Sequence, residues 1–355
     1  MARSRTARRR VSQADVARAA GVSTGIVSSV VNNKSYGSIR VSDATRQRVL
    51  AAVEELGYVP DPVARRMAGG SNRLIGVFTY EAVFPINAQN FYHEFLVGIE
   101  EAADEAEHNL LLVTGARRDH KRSLYASGVN GLRLADGGLL FGSSEPAEEV
   151  RRLAQEGFPF VVVGERDYPD VDASYSAADY RAGTAALVRR AWDLGHRRLA
   201  FANTHNDPVP GRLAGFLQAK EELGLSDEDA RVIDLRTWDP SVTVEEQGVR
   251  AAQRVAASGA SVVFIQGGGW LTGFWEELKR AGLALPEDLS VVMLRGDKRD
   301  VDGVPLTDLD IPRNEMGREA VRLLLQLIAD PDGGPLRSRL SCGIREGATL
   351  VAPRL

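Results

Sequence analysis

The sequence has a single cysteine, Cys342, and no run of about 18 apolar residues that could cross a membrane. One cysteine excludes an internal disulfide and a cysteine-based metal cluster, and it is typical of proteins kept in a reducing compartment. The basic residues 1–10 are followed by no apolar segment, so we expect no secretory signal. The lack of these features predicts a soluble, cytoplasmic protein with no membrane partner.

The signatures of common catalytic sites are missing as well. The five histidines have no spacing typical of metal ligands, and no Gly-x-Ser-x-Gly turn is present. The glycine run at 267–269 is not followed by the lysine and hydroxyl residue of a phosphate-binding loop. We therefore predict that the protein is not an enzyme and that it has no catalytic residues, metal or cofactor.

Charge is distributed unevenly along the 355 residues. Residues 1–73 carry 13 basic and 5 acidic side chains, whereas the rest carries 31 basic and 43 acidic ones. A basic head on an acidic body indicates that the head contacts a polyanion such as nucleic acid, although a solvated basic tail would have the same composition. The length and the 44% hydrophobic content predict a globular protein of two or three domains.

Three helices are predicted in the head. Residues 12–20 carry apolar side chains at helical spacing after a capping serine, and Gly21 ends this helix. A second helix is predicted from Ser23 to about Asn32, and a third over residues 42–56. Two short helices joined by a tight glycine turn are typical of the helix-turn-helix motif, whose second helix enters the major groove of DNA.

The remainder of the chain alternates short apolar runs with helical patterns, which predicts parallel β-sheets with helices on both faces. The predicted strands are 74–78, 110–113, 138–141, 160–163, 199–201, 231–235, 262–265 and 289–294. The predicted helices are 91–107, 179–194, 211–223, 243–257 and 271–281. Because open α/β sheets bind ligands beyond the carboxyl ends of their strands, we expect a ligand site there.

Several short motifs follow one another in an order typical of a known family. In the head they include Asp15-Val16-Ala17, Ala20-Gly21-Val22-Ser23, Val41-Ser42 and Glu55-Leu56-Gly57-Tyr58-Val59-Pro60. In the core they include Gly98-Ile99-Glu100, Gly195-His196-Arg197-Arg198-Leu199-Ala200, Arg212-Leu213 with Gly215-Phe216, and Pro305-Leu306-Thr307. With these motifs the chain resembles the LacI/GalR (lactose repressor) family of transcription regulators.

The resemblance implies an all-α helix-turn-helix domain at 1–60, a hinge helix and linker at 61–72, and an effector-binding and dimerisation core at 73–355. The core would resemble a type I periplasmic binding protein, an α/β fold of two doubly wound parallel-sheet subdomains with a cleft between them. The expected N-subdomain covers about 73–172 plus 301–335, and the expected C-subdomain about 173–300 plus 336–355.

The resemblance also implies which residues contact DNA. Thr24, Gly25 and Ser29 take the positions that read base edges, and Ser29 stands where the family commonly has an arginine. Because this set contains a glycine and a serine, we expect operator recognition to depend more on DNA shape and phosphate contacts. Further DNA-contacting candidates are Ser12, Gln13, Ser23, Ser28, Asn32, Arg40 and Tyr58. For Ser12 and Ser23, helix capping is an alternative role.

The segment 61–72 resembles the hinge helix that forms in this family when the operator is bound. Met67 takes the place usually held by a leucine that enters the minor groove, unstacks a base step and kinks the duplex. Arg65 would contact phosphate groups. Because a helix this short is not stable alone, a flexible linker is the alternative role of the segment.

In the core, Arg212 takes the position of an arginine that contacts the effector in the family. Gly267 and Gly268 stand where sugar-sensing members often have an Asn-Asp pair, so a carboxylate that would accept sugar hydroxyl groups is missing. Trp270 is a candidate for stacking on a ring instead. Further effector-binding candidates are Tyr80, Phe91, Arg166 and Asp297. The family favours a sugar or sugar derivative, whereas these residues favour another ligand, such as an anion, or the loss of the effector.

Together these features predict a sequence-specific DNA-binding regulator, by family pattern a repressor, that binds a near-palindromic operator in double-stranded DNA as a homodimer. A small-molecule effector in the cleft would change its affinity for the operator. Two alternatives stay open: a small-molecule-binding protein whose head has lost sequence specificity, and an architectural DNA-binding protein without effector control. Thermal stabilisation by a ligand would separate a sensor from a constitutive binder.

Overall fold

The computed structural model describes residues 11–31, 41–59, 71–80, 89–118, 121–142, 146–203, 211–235, 242–267, 269–296 and 300–354. The chain divides into a helical unit, made of residues up to Leu74 with 134–136, and a larger α/β unit made of the rest.

The helical unit contains the three predicted helices, α1 (Gln13–Ala20), α2 (Thr24–Val31) and α3 (Asp43–Leu56). Serine side chains cap the start of α1 and α3. Gly21 and Gly57 end these helices in the left-handed region, at φ 63° and 60°, where a residue without Cβ is unstrained. The apolar faces of the three helices meet in one small core, formed by Val16, Ala17, Ala20, Val27, Val30, Val49 and Ala52.

The first sheet of the α/β unit has six strands. In spatial order they are β15 (Arg337–Ser341), β7 (Ser174–Asp179), β6 (Phe160–Val163), β5 (Gly137–Phe141), β1 (Leu74–Thr79) and β2 (Asn109–Val113). The pairings from β15 through β1 are parallel. Two helices, α4 (Gln89–Glu105) and α10 (Arg313–Ala329), pack on one face, and α5 (Ala147–Gln155) packs on the other.

The second sheet also has six strands. In spatial order they are β16 (Gly343–Arg345), β14 (Thr307–Asp310), β11 (Ser290–Met293), β10 (Val262–Ile265), β8 (Leu199–Asn203) and β9 (Ala230–Asp234). All pairings are parallel except that of β14 with the edge strand β16. Helices α6 (Tyr180–Asp193) and α7 (Gly211–Glu222) cover one face, and α8 (Val244–Ser258) and α9 (Leu271–Arg280) cover the other.

Two antiparallel pairs of short strands complete the α/β unit as described. They are β3 (Ala116–Arg118) with β4 (Lys121–Ser123), and β12 (Asp300–Val301) with β13 (Val304–Pro305). One apolar cluster contains buried residues of both six-stranded sheets, such as Val77 of β1 and Phe264 of β10. The architecture confirms the predicted fold class of two parallel-sheet α/β subdomains.

The chain crosses between the two sheets at other places than the predicted subdomain limits. The predicted limits put Ser174–Asp179 and Arg337–Ser341 in the C-subdomain and Thr307–Asp310 in the N-subdomain, but each is a strand of the opposite sheet. Ser174–Asp179 and Thr307–Asp310 have no continuous apolar run, because hydroxyl and carboxylate side chains are buried among their apolar ones. Arg337–Ser341 is an edge strand whose residues are alternately exposed. Ser176 is fully buried, and its hydroxyl donates to the carbonyl of Met316 at 2.9 Å.

Candidate nucleic-acid interface and ligand cleft

The start of α2, the predicted recognition helix, faces solvent. Thr24 and Gly25 are exposed, and Ser28, one turn later, is half-buried. Ser29 is only 6% exposed, because it lies on the side of α2 that packs into the helical unit. Thr24 and Gly25 are therefore accessible to a base edge, whereas the burial of Ser29 argues against the predicted base contact and for a role in packing.

The serines before the first two helices act as caps. The Ser12 hydroxyl donates to Asp15 Oδ2 at 2.6 Å, and the Asp15 backbone N–H donates back to Ser12 Oγ at 3.4 Å. The hydroxyl oxygen of Ser23 accepts from the backbone N–H of Ile26 at 3.4 Å. Both serines therefore cap helices, which is the alternative role predicted for them from the sequence. A phosphate group at these helix starts would meet the remaining backbone N–H groups of the first turn.

The structure describes only some of the other residues that are predicted to contact DNA. Gln13 is half-buried in the first turn of α1, and Tyr58 is half-buried and packs against the core of the helical unit. Asn32, Arg40, Arg65 and Met67 lie outside the described residues, as does the predicted effector-binding residue Asp297.

Asp136 anchors the chain where it enters β1, a role that no sequence pattern indicates. Its carboxylate accepts from Ser71 Oγ at 2.6 Å and from the backbone N–H of Asn72 at 2.9 Å. The Asp136 N–H in turn donates to the carbonyl of Leu74 at 2.8 Å. Asp136 therefore holds Ser71 and Asn72, the last two residues of the predicted hinge and linker, just before β1.

Arg212 lies at the carboxyl edge of the second sheet. It is half-buried in the first turn of α7, and its Nε donates to the carbonyl of Leu294, just after β11, at 2.7 Å. Its guanidinium carbon lies 3.8 Å from the centre of the Tyr180 ring. The hydrogen bond and the ring contact hold the guanidinium plane in one orientation at the edge where ligands of α/β sheets bind.

A second arginine binds the same loop from the other subdomain. Arg313, at the start of α10, is 3% exposed and donates to the carbonyls of Arg295 and Gly296 at 2.5 and 2.7 Å. It also lies 3.5 Å from Glu94 Oε2 on α4. With Arg212 on the carbonyl of Leu294, two guanidinium groups therefore bind three consecutive carbonyl groups, 294–296.

Phe91 joins the two subdomains beside this loop. Its ring, on α4, lies 5.4 Å from the guanidinium carbon of Arg295 and 5.1 Å from that of Arg313. Arg295 is half-buried and follows β11 of the second sheet. Phe91 is a predicted cleft residue, whereas Arg313 and Glu94 are not predictable from the sequence, because 219 positions separate these two and no motif links them.

A pair of amide side chains lies at the ends of two neighbouring strands of the second sheet. Asn203 ends β8 and is 5% exposed, and Gln266 follows β10 directly. Gln266 Nε2 donates to Asn203 Oδ1 at 3.2 Å, and Gln266 Oε1 is buried without a hydrogen-bond partner. Neither residue is predictable as a site residue from the sequence, because isolated amides at strand ends form no recognisable motif.

The carboxyl edge of the first sheet carries two predicted cleft residues. Arg166 follows β6 and donates to the carbonyl of Gly142, just after β5, at 2.8 Å. Tyr80 follows β1 but is only 9% exposed, with its ring edge-to-face on Phe78 at a centroid distance of 4.7 Å. Arg166 therefore lies at the edge that a ligand would contact, whereas Tyr80 mainly belongs to the apolar core.

The predicted stacking role of Trp270 does not fit its position. Trp270 is 4% exposed and belongs to the apolar cluster of α8, α9 and the second sheet. Its ring packs edge-to-face on Phe274 at a centroid distance of 5.3 Å. Because protein covers the indole, its faces are not accessible to a ligand ring.

The comparisons with known proteins agree with this arrangement of a three-helix head and a two-sheet core. Residues 12–61 match the family model described as bacterial regulatory proteins, lacI family, and residues 188–350 match the one described as periplasmic binding protein-like domain. The chain is 30% identical over 338 residues to the HTH-type transcriptional regulator CelR of Thermobifida fusca, covering 93% of this chain and 95% of CelR. The chain belongs to the LacI family. It is thus a helix-turn-helix, DNA-binding transcription regulator.

Other LacI-family proteins are similar over most of their length. The HTH-type transcriptional repressor CytR of Escherichia coli is 29% identical, with 96% of both chains covered. A solved CelR-cellobiose complex has a TM-score of 0.61 and 26% identity, covering 96% of this chain and all of that one. The Lac repressor dimer bound to operator and an anti-inducer has a TM-score of 0.66 at 22% identity and shows the same fold over 97% of this chain. In the part of this LacI-family chain that the structure describes, no helix combines the length and apolar character needed to span a membrane.

Proposed function

We propose that this LacI-family protein is a repressor that binds a near-palindromic operator as a homodimer. A small molecule that binds the core cleft lowers or raises its affinity for the operator. CytR and the operator-bound Lac repressor, which are a repressor and a dimer by their descriptions, support this proposal. The observation that carries it is the exposed start of α2 on a capped three-helix head whose sequence is strongly basic.

In the head, Thr24, Gly25 and Ser28 face the bases, and Gln13, Ser12, Ser23 and Tyr58 position the backbone of the DNA. Short hydroxyl groups and a glycine give weak base discrimination, because they lack the bidentate geometry of arginine or asparagine. Operator choice therefore depends strongly on DNA shape and on phosphate contacts, with Arg65 and the wedge residue Met67 acting at the centre of the site.

In the core, Arg212, Arg166 and Phe91 contact the effector. The buried contacts between the loop 294–296 and α10 support this assignment, because a ligand there would touch residues of both subdomains. A ligand that binds one arrangement of the subdomains more tightly shifts the population toward it. The protein regulates rather than catalyses, and it acts in the cytoplasm.

The test of operator binding is selection from random double-stranded DNA with the purified full-length protein. We expect a near-palindrome with a flexible pyrimidine–purine step at its centre, the step that a wedge kinks most easily. Recovery of no motif, together with binding that disappears at moderate salt, would leave only a nonspecific polyanion-binding head.

The hinge assignment is tested with Met67→Gly on the selected operator. Loss of the wedge should weaken specific binding and reduce the bend angle, while the helical content and nonspecific binding stay unchanged. Unchanged operator affinity and bending would remove Met67 from the interface.

A further inference from the structure

An apolar cavity of about 230 Å³ opens at the amino edge of the second sheet. Its floor includes Val291 of β11 and Leu306, which are both buried. Its walls are half-buried and come from three further pieces of the chain: Trp275 on α9, Leu283 in the loop between α9 and β11, and Val304 on β13. Four separate segments thus build one apolar space.

This cavity is separate from the cleft. Leu283 precedes β11 and Leu306 precedes β14, and because these two strands are parallel, both residues lie at the amino edge of the sheet. The loop 294–296, which Arg212 and Arg313 bind, follows β11 and therefore lies at the opposite, carboxyl edge. A ligand in the cavity would contact a different set of residues from an effector in the cleft.

The rim of the cavity carries an ion pair. Lys279, in the last turn of α9, and Asp302, in the turn between β12 and β13, both line the cavity, and Lys279 Nζ lies 2.5 Å from Asp302 Oδ2. Both side chains are more than half exposed, so the pair stands where the cavity meets solvent. A neutral hydroxyl group fits beside it, because its oxygen accepts from the ammonium group while its O–H donates to the carboxylate. A ligand carboxylate would be repelled by Asp302, and a ligand ammonium group by Lys279.

The interior of the cavity fits an aromatic ring. Trp275 packs edge-to-face on the fully buried Phe274, at a centroid distance of 5.0 Å, so its indole is held in place from the core side. The hydroxyl group of Thr349, a polar group of the floor, is used within the protein: it donates to the carbonyl of Val291 at 2.7 Å and accepts from the N–H of Thr307 at 2.9 Å. Because an apolar cavity of about 150 Å³ holds benzene, this larger one has room for a substituted benzene ring.

We infer that this cavity is a second ligand site, for a small phenol whose ring packs on Trp275 and whose hydroxyl group contacts both Lys279 and Asp302. The apolar walls favour the ring, and the ion pair at the rim favours an uncharged hydroxyl group over a charged one. An aromatic acid, an aromatic amine and an aromatic hydrocarbon each lack that hydroxyl group. The site is independent of the effector proposed for the cleft, because the residues that define the two sites differ.

Calorimetry and thermal unfolding of the whole chain with matched ring compounds test this site. The probes, used at constant ionic strength, are 4-methylphenol, toluene, benzoate and benzylammonium. We expect 4-methylphenol to bind at least about 5-fold more tightly than each of the other three, a factor that corresponds to the net gain from a hydrogen bond. It should also raise the melting temperature, because it binds the folded state.

A substitution at the rim assigns the polar contact. Lys279→Met removes the ammonium group and keeps an unbranched apolar side chain, so 4-methylphenol should lose most of its roughly 5-fold advantage over toluene. The matched control is Arg280→Met, which removes a positive charge from the next position of α9. Arg280 pairs with Glu277 on the same helix and does not line the cavity, so both affinities should stay unchanged.

A substitution in the wall assigns the cavity itself. Val304→Phe places a ring in the apolar space and should weaken 4-methylphenol and toluene alike, by at least about 10-fold. Its melting temperature without ligand should equal or exceed that of the original protein, because filling a cavity stabilises the folded state. If this variant fails to fold, the comparison of Lys279→Met with Arg280→Met decides the assignment alone.

Several results would overturn the assignment. They are equal binding of toluene and 4-methylphenol, tighter binding of benzoate or benzylammonium, no binding of 4-methylphenol, equal effects of Lys279→Met and Arg280→Met, and an unchanged affinity in a folded Val304→Phe variant. A change in the molecular mass in solution caused by Val304→Phe would assign the cavity to a contact with a second copy of the chain and not to a phenol.

Discussion

At the scale of single residues, the same residue type has opposite roles in different surroundings. Gly25 is open: a Cβ built there has Ser23 Oγ as its nearest neighbour, at 3.8 Å. Gly98, on α4, is closed: a Cβ built there would lie 2.0 Å from the carbonyl oxygen of Asn314 on α10. The sequence contains both glycines, but only the structure shows which one is required by a close approach of backbones.

Gly25→Ala should stabilise the head. Alanine fits the space and favours the helical state of α2 by up to about 1 kcal/mol over glycine. Chemical unfolding of the protein, followed by helical signal, should show the transition of the head at higher denaturant. Because the added methyl group points outward at the predicted base-reading position, operator preference should be measured in the same variant. A lower stability would mean that Gly25 adopts a conformation other than the helical one described.

Gly98→Ala should destabilise the core. The overlap with a backbone carbonyl cannot be relieved by rotating a side chain, so α4 and α10 must separate, at a cost of roughly 1–3 kcal/mol or more. Gly25→Ala is the matched control, since the same substitution is made there in open space. An unchanged unfolding free energy would show that the two helices pack less closely than the structure has them.

At the scale of elements, buried polar groups tie segments that are distant in sequence. His196, which is 1% exposed, lies between α6 and β8; its Nε2 donates to the carbonyl of Val351 and its Nδ1 lies 2.8 Å from Ser261 Oγ. Removal from water is the main reason that its pKa is lowered below the ordinary value near 6.5. The ring is therefore neutral in the folded protein at a pH where the unfolded chain already takes up a proton.

The unfolding free energy should consequently fall as the pH drops below about 6.5. A lowered folded-state pKa gives stability that is complete above the unfolded pKa and is lost toward the folded pKa, with a slope of at most about 1.4 kcal/mol per pH unit from this group. His196→Gln should be less stable at pH 7.5 and should have a flatter dependence between pH 5 and 7. The same change at the exposed His93 should leave the stability at pH 7.5 as it is in the original protein, because no buried hydrogen bond is lost.

Elements whose ends or burial are marked in their own residues are predictable from the sequence. The helices of the head are predictable because Ser12, Gly21 and Gly57 mark their ends, and strands such as Phe160–Val163 are predictable because they are continuously apolar. The strand Ser174–Asp179 and the amide pair Asn203 and Gln266 are not predictable in this way. Their polar groups form hydrogen bonds with residues far away in sequence, so nothing in the local sequence reveals their burial.

At the scale of the whole molecule, effector and operator should be coupled in both directions. If an effector changes the affinity for the selected operator by a given factor, typically about 5- to 150-fold, the operator must change the affinity for that effector by the same factor. Titrating the effector into free protein and into the operator complex measures both values. Unequal factors would mean that the effector acts at more than one site or changes the oligomeric state.

The last segment of the chain has a consequence for the gene. The strands β15 and β16 are separated by one residue, yet they complete the edges of different sheets. Beyond them, the carbonyl of Thr349 accepts from the backbone N–H of Val291 in β11. A premature stop codon at position 336 would therefore damage both subdomains at once, although it removes only residues 336–355 of this sequence. Neither subdomain can be expressed alone by a single cut, since each is assembled from separate pieces of the reading frame.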